Sequence, residues 1–425
     1  MNAGRLVIMG SGETAPTMVE VHRATLRAAG EGPALLLDTP YGFQENADDI
    51  TEKAVAYFGR NVGRTVTPMR WRTRLAGADL DRALAAVRGA RWAFAGPGSP
   101  TYALRVWAGT GFDDAAAAVV ASGGTVTFAS AAALTLGIAT VPVYEIYKSG
   151  ADPSWAEGTN LLERLTGLRA AVIPHYDNTE GGTHSTRFCY LGERRLRLLE
   201  GTLPEGAHVI GVDEHTALVL DLADGTAAVL GNGTVTVRCD GASRVLPSGT
   251  VVPFTDLARV AHSISPSSAI HQAPVGAAPA LALAPGALAS APAAPATSLR
   301  AAADRARAAF DAAVAARDAD AAAGAVLDLE QALADWSADT LQSDDADHAR
   351  RTLRGMVVEL AAAARDGLTD PAARVAPLVE ALLDERAAAR ACRDFARADA
   401  LRNRLAAAGV EVRDAASGVE WSLRS

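Results

Sequence analysis

TVTFASAAALTLG, residues 125–137, opens as an apolar β-strand and turns at Ser130 into a run of small, helix-forming residues. A buried strand that passes straight into a helix has the form of a nucleophile elbow. Such a turn lifts a serine oxygen off the sheet edge and aims the next backbone N–H groups at the place where an oxyanion would form. Ala129, Ala131, Ala132 and Ala133 suit that crowding, since a large side chain would block the turn. Elbows usually carry glycine around the serine, because alanine tolerates strained backbone angles less well. A strand ending in Ala-Ser-Ala-Ala also reads as ordinary close packing, so the case for Ser130 depends on partners elsewhere in the chain.

Two further apolar runs supply them. AAVIPHY (170–176) delivers His175 at its end, and HVIGVDE (208–214) delivers Asp213 and Glu214 in the same way. Glu145, in VPVYEIYKSG (141–150), is a third acid, fifteen residues after the serine. Ligands of open α/β sheets bind beyond the carboxyl ends of the strands. A serine needs a base within hydrogen-bond reach, and the base needs an acid that holds its tautomer and stabilises its cation. Taken singly, each residue also reads as a strand cap or a surface acid; together they outline a nucleophile, a base and a choice of two acids.

These pieces resemble the S51 serine peptidases, the group of dipeptidase E and cyanophycinase, over about residues 5–246. The matching segments are GSGET (10–14), FAGPGSPTYAL (94–104), FASAAALTLG (128–137), IPHYDN (173–178) and GVDEHTALVLD (211–221). The resemblance implies a class I glutamine amidotransferase-like fold. It puts the nucleophile on Ser130 and the histidine on His175. The dipeptidase spacing points to Glu145 as the acid and the cyanophycinase pattern to Glu214. The oxyanion donors would be the N–H groups of Gly98 and Ala131. The family writes glycine two residues after the serine, where this chain has Ala132. The polar loop DNTEGGTHSTR (177–187) follows the histidine strand, and Asn178, His184 and Arg187 could grip an acidic substrate group there. S51 peptidases favour aspartyl substrates, which suits an arginine; the plainer reading is a solvated surface loop. The resemblance also suggests a homodimer.

Around these motifs, LVIMG, ALLLD, WAFAG, TVTFA and AAVIP alternate with helical stretches, the pattern of a mostly parallel α/β sheet flanked by helices. Residues 216–254 change to short strands with Asp-Gly and Asn-Gly turns, a β-meander. Residues 263–298 contain six prolines and no Asp, Glu, Lys or Arg, which reads as a semi-extended linker. The expected organisation is an S51-like domain over 1–262, this linker, a helical region over 299–370 and a C-terminal module over 371–425. Gly10, Gly12 and Ala15 also satisfy a loose dinucleotide-binding pattern, but the acid Asp38 lies too far on, and the same turn belongs to the S51 resemblance. No cofactor or metal is expected.

The C-terminal stretch Ala381 to Leu423, with ERAAARACRDFARADALRNRLAAAGVEVRDAASGVEW at 385–421, resembles the end of bacterial cysteinyl-tRNA synthetases. That end contacts the tRNA anticodon in the family, and Trp421 matches an aromatic position in its final hairpin. The HIGH-like and KMSKS-like motifs and the zinc cysteines of the catalytic half are missing, which excludes aminoacylation. Six arginines and two aspartates in 386–405 make a local basic patch. Arg386, Arg390, Arg393 and Arg397 would line up on one continuous helix, but Phe395 then falls opposite Leu382. A break at Asp394, acting as an N-cap, resolves the conflict. The patch reads either as a tRNA or protein contact or as a solvated arginine face.

Composition bounds the remainder. The 425 residues suffice for two or three domains, and 49% hydrophobic residues with a mean hydropathy of +0.10 suit ordinary cores. A net charge of −9 argues against general binding to nucleic acid or anionic lipid. Cys189, Cys239 and Cys392 lack metal or redox spacing, and no signal peptide or membrane span is evident, so a cytoplasmic protein is expected. The chain reads as a serine hydrolase acting on small peptides or isopeptides. The alternative is an inactive S51-like binding protein whose C-terminal module holds tRNA or a protein.

Overall fold

Residues 3–180, 184–257, 297–337, 344–366, 371–415 and 418–424 are described in a computed structural model of the chain. Residues 258–296, which hold nearly all of the expected linker, and 181–183 of the polar loop lie outside the described residues. The chain divides into two compact units, Met1–Thr297 with Asp335–Ser343, and Ser298–Ala334 with Asp344–Ser425.

Five strands of the first unit run parallel in the order β1 (Arg5–Met9), β5 (Thr125–Ala129), β4 (Trp92–Ala95), β2 (Ala34–Leu37), β3 (Thr67–Met69). Apart from the short, largely exposed edge strand β3, their sequences are mostly apolar runs rather than alternating ones because both faces are covered by helices. Leu6, Ile8, Val126 and Phe128 pack on one face with Leu84 and Val87 of helix Gly77–Arg88 and with Phe112 and Val119 of helix Phe112–Ala121. Val7, Met9, Trp92 and Phe94 face the other way, toward Val21 and Leu26 of helix Val19–Ala29 and Ala54 and Tyr57 of helix Ala47–Tyr57. A one-residue slip in register would exchange these two layers wholesale, which is why the pairing is well specified.

The expected parallel sheet is present, with one correction. AAVIP does not join it. Both long edges of β5 are already taken by β1 and β4. Two two-residue strands, β6 (Ala139–Thr140) and β7 (Ala156–Glu157), pair with each other. The β8 strand (Ala170–Ile173) lies in a second sheet, parallel to β9 (His208–Val212). The meander is likewise divided. β10 (Thr216–Asp221), β11 (Thr226–Gly231) and β14 (Val251–Pro253) extend the main sheet antiparallel beyond β1. β12 (Thr234–Cys239) and β13 (Ala242–Pro247) complete the second sheet in the order β13-β12-β9-β8. The chain crosses between sheets at Gly231, whose φ of +105° is open to glycine and closed to most residues.

Behind the second sheet, the guanidinium of Arg238 on β12 is only 4% exposed. It donates to Glu200 Oε2 at 2.9 Å and to both oxygens of Glu193 at 2.8 and 2.9 Å, fastening helix Gly192–Glu200 to the strand. The bonds from Arg238, with a further one from Arg197, hold the Glu193 carboxyl down at about 2.

The second unit is mainly helical, as expected, with helices Leu299–Ala315, Ala319–Asp335, Asp345–Asp366, Pro371–Ala391 and Phe395–Ala407. It ends in the hairpin of β15 (Val410–Ala415) and β16 (Gly418–Leu423). Asp394 caps the last helix by accepting the Arg397 N–H at 3.0 Å, and Arg393 before it is left-handed at φ +58°. The arginine stripe is therefore broken. Val379, Leu405, Val410 and Val412 form the small core of this module, with Trp421 packed against it. No described helix is long and apolar enough to cross a membrane.

Candidate active site

Ser130 stands at the end of β5 with φ +49°, the left-handed conformation that an elbow imposes on its nucleophile. Helix Ser130–Leu134 starts there, and the Ala132 N–H donates to the Gly96 carbonyl at 3.2 Å, tying the elbow to the turn after β4. Ala132, where the S51 pattern has glycine, is a helical position. Ala132 is fully buried within the helix and has no positive φ, so its methyl group meets no backbone strain. The left-handed angle falls on Ser130 itself.

Gly98, on the turn joined to the elbow, has φ +134°, and a β-carbon there would overlap the Pro40 carbonyl. Ala131 is 5% exposed. The two expected oxyanion donors thus lie on two turns connected by one hydrogen bond.

His175 and Glu214 come from the adjacent ends of the parallel pair β8 and β9. The Ser130 hydroxyl and His175 Nε2 are 2.9 Å apart, and His175 Nδ1 is 2.8 Å from Glu214 Oε1. A carboxylate on Nδ1 requires the proton there, which leaves Nε2 to accept from Ser130. Burial works to lower the His175 pKa, but the hydrogen bond and charge of Glu214, helped by Glu13 and Glu180, outweigh it and raise the pKa above 6.5. Conversely, burial of Glu214 is outweighed by its bonds to His175 and Asn178, and its carboxyl sits below the ordinary value.

Of the two candidate acids, Glu145 does not hold the histidine. Its Oε1 accepts the Thr101 hydroxyl at 2.7 Å, so it bridges helix Val143–Tyr147 to helix Pro100–Trp107. The carboxylate within hydrogen-bond reach of His175 Nδ1 is that of Glu214.

The polar loop also departs from expectation. Asn178 is fully buried, and its Nδ2 donates to Glu214 Oε1 at 2.9 Å, so it is not available to a substrate. His184 and Arg187 are exposed; His184 Nε2 is 3.3 Å from the Tyr147 hydroxyl, and the Arg187 guanidinium lies 4.7 Å over the Phe188 ring.

Three features were not anticipated from the sequence. Asp177 Oδ1 accepts the Glu214 backbone N–H at 2.8 Å. Residues 188–190, Phe-Cys-Tyr, are all left-handed, with φ of +61°, +53° and +65°. Each such angle costs on the order of 1–3 kcal/mol and persists only where the surroundings impose it. Here the Phe188 and Cys189 N–H groups donate to the carbonyls of Tyr176 and His175 at 3.0 and 3.1 Å, clamping the backbone of the histidine, which is itself at φ +49°. The Tyr190 ring then lies 6.2 Å from the His175 ring, its hydroxyl donating to Glu180 Oε2 at 2.8 Å.

The glycine-rich turn after β1 is filled by the protein's own chain. A β-carbon on Gly10 would overlap the Asp213 carbonyl, and one on Gly12 would overlap the His215 ring. The buried His22, its pKa lowered by burial to about 4, donates from Nε2 to the Glu13 carbonyl at 2.6 Å and fixes the same turn. The glycines serve packing beside Glu214. Among the described residues, no group of three His, Cys, Asp or Glu side chains is arranged to hold a metal ion.

In the second unit, three of the four stripe arginines are engaged internally. Arg386, with a side chain 5% exposed, and Arg390 both donate to Asp414, and Arg397 pairs with Glu385 at 2.8 Å.

This end of the chain has a recognisable relative. Residues 373–421 match the family described as cysteinyl-tRNA ligase anticodon binding domain. The cysteine–tRNA ligase of Beutenbergia cavernae is 60% identical over 47 residues, which are 11% of this chain and 10% of that protein. That of Arthrobacter sp. (strain FB24) is 53% identical over 66 residues, 16% of this chain and 13% of that protein. The chain thus spans about a tenth of the length of the curated relatives it matches. Among solved structures, the chain is similar to a peptidase from an acI-B1 Actinobacterium, at 21% identity and a TM-score of 0.49, over 59% of this chain and 97% of that one. It is also similar to a putative peptidase E protein from Listeria monocytogenes EGD-e, at 14% identity and a TM-score of 0.37, over 56% of this chain and 98% of that one.

Proposed function

We propose that the first unit is a serine hydrolase of S51 type that cleaves small peptides or isopeptides near an aspartyl group. The observation that carries this reading is the unbroken chain of hydrogen bonds from Ser130 through His175 to Glu214. Ser130 Oγ attacks the scissile carbonyl while His175 Nε2 takes its proton. Glu214 stabilises the imidazolium, and the N–H groups of Gly98 and Ala131 receive the oxyanion. The imidazolium then gives its proton to the leaving amine, and water, activated by the same nitrogen, releases the acyl group from Ser130. The exposed Arg187 and His184 beside the histidine strand are the groups we assign to a substrate carboxylate. The three cysteines are unpaired, which suits a reducing, cytoplasmic setting for this activity.

A fluorophosphonate probe tests the reading. It should label the full-length protein and not Ser130→Ala, and aspartyl dipeptides together with β-aspartyl-arginine should be hydrolysed only by the former. The base must be neutral, and Glu214 raises its pKa. The labelling rate should therefore be lost as pH falls through a midpoint above 6.5. A folded protein that neither reacts with the probe nor hydrolyses these peptides would count against a serine hydrolase.

The match over residues 373–421 favours a second reading for the second unit, a surface that meets tRNA. With Arg386, Arg390 and Arg397 paired internally, few arginines of the stripe remain for phosphate. On this reading tRNA is retained by the full-length protein on a filter at about 50 mM salt, with a shallow decline as salt rises because few phosphates are contacted. No retention at that salt would remove the reading.

A further inference from the structure

The amide of Asn178 is used at both ends. Its Nδ2 donates at 2.9 Å to Glu214 Oε1, the same oxygen that receives the His175 Nδ1 proton at 2.8 Å. Its Oδ1 accepts the Glu180 N–H at 3.2 Å, and its backbone carbonyl accepts the buried Thr186 hydroxyl at 3.3 Å. The orientation of the amide follows, since only the NH2 group can face a carboxylate and only the oxygen can face an N–H. Glu214 needs this. It lies just past the end of β9 with a side chain 17% exposed, so its carboxylate has water as a competing partner. Asp177 fixes its backbone, and a second donor on Oε1 fixes the rotation of the carboxylate about its last torsion.

We propose that Asn178 is a positioning residue whose amide aims the Glu214 carboxylate at His175 Nδ1. Its kinetic consequence rests on the serine-hydrolase reading; its geometric consequence does not. Asn178→Asp is the informative variant. It keeps the volume and the acceptor for the Glu180 N–H, and it changes only the donor. The introduced carboxyl would face Glu214 and His175, with Asp177, Asp213, Glu180, Glu13, His215, Cys189 and Tyr190 as the surrounding titratable groups. Protonated, it donates to Glu214 as the amide does. Ionised, it repels Glu214 and leaves it without the second donor.

Probe labelling of the full-length wild type should rise with pH to a plateau. The variant should rise and then fall, ending about 10–100-fold below wild type near about pH 9, with the gap closing toward acid. A constant ratio at every pH is what a merely structural role gives, and it would overturn the proposal. Proton NMR of the same proteins reads the geometry without turnover. The wild type should show a far-downfield His175 Nδ1 proton, and the variant should lose it at alkaline pH and regain it on acidification. An unchanged signal in the variant at alkaline pH would overturn the proposal. A wild type inert to the probe would defeat the hydrolase reading alone, and the NMR result would still decide the role of Asn178. Should the variant not fold, Asn178→Ala removes the donor without adding charge. Loss of the downfield signal is then expected, and its retention overturns the proposal.

Discussion

On the proposed serine-hydrolase mechanism, Glu214→Gln should lower kcat by about 10³–10⁴-fold near neutral pH, whereas Glu145→Gln should change it by no more than about twofold. The amide has the size of the carboxylate, so the packing at the end of β9 is retained. What disappears is the negative charge that stabilises the imidazolium formed when Ser130 gives up its proton. The amide can also present its NH2 group to Nδ1, which would favour the tautomer with the proton on Nε2 and leave no base for the serine. The sign of the pH effect separates this from a loss of fold. With Glu214 neutral, burial would dominate at His175 and its pKa would drop, so the acid limb of the residual activity should move to lower pH. Glu145 is bound instead to Thr101 at 2.7 Å, and its substitution reaches the catalytic chain only through helix packing. If Glu145→Gln were the damaging change and Glu214→Gln the mild one, the role of acid would pass to Glu145. Thermal melts of both variants, unchanged from wild type, would complete the comparison.

The parts of this site that were legible in the sequence are those that depend on one strand and the turn that follows it. Ser130, His175 and Glu214 each stand just past an apolar run of four or five residues, a pattern that local composition reveals. The choice between Glu145 and Glu214 was not legible in this way, because it depends on which strand pairs with β8. That pairing is a long-range event between His208–Val212 and Ala170–Ile173, and nothing in either run names its partner. The assignment of β8 to a second sheet was hidden for the same reason: an apolar parallel strand looks alike in either sheet. Asn178 was visible as a polar residue in a glycine-rich loop, which suggested a ligand. Its burial follows from the Thr186 hydroxyl and the Glu180 N–H folding over it, contacts that span eight and two residues and leave no periodic trace. Residues 188–190 carried the least signal. Phe, Cys and Tyr are extended-chain formers by preference, and their left-handed turn is imposed by the carbonyls of His175 and Tyr176. In the second unit the helix break at Asp394 was legible because it rests on a local cap, whereas the pairing of Arg386 and Arg390 with Asp414 was not, since 28 and 24 residues separate the partners.

Arg238→Met should destabilise the first unit by about 3–5 kcal/mol, the cost of leaving a buried charge without its partner. The Glu193 carboxylate is 46% exposed and can return to water, but the Glu200 side chain is 4% exposed and cannot. For a unit of this size the melting temperature should fall by roughly 10 °C. The wild type should also lose more stability on acidification than the variant, in which Arg197 still holds part of the Glu193 depression. The Glu193 pKa is depressed in the folded state, so the stabilisation it supplies is present above 4.5 and is lost as pH falls toward about 2. The double variant Arg238→Met/Glu200→Leu tells whether the cation itself matters. Replacing both members of a buried pair by apolar groups of similar volume is often neutral, so most of the lost melting temperature should return. If it does not, the guanidinium contributes through its place 5.6 Å over the Phe188 ring, at the start of the left-handed turn that clamps His175. Activity then distinguishes the two cases. An uncompensated charge would leave kcat near wild type below the melting transition, whereas loss of the stacked cation would loosen residues 188–190 and lower kcat in the single and double variants alike.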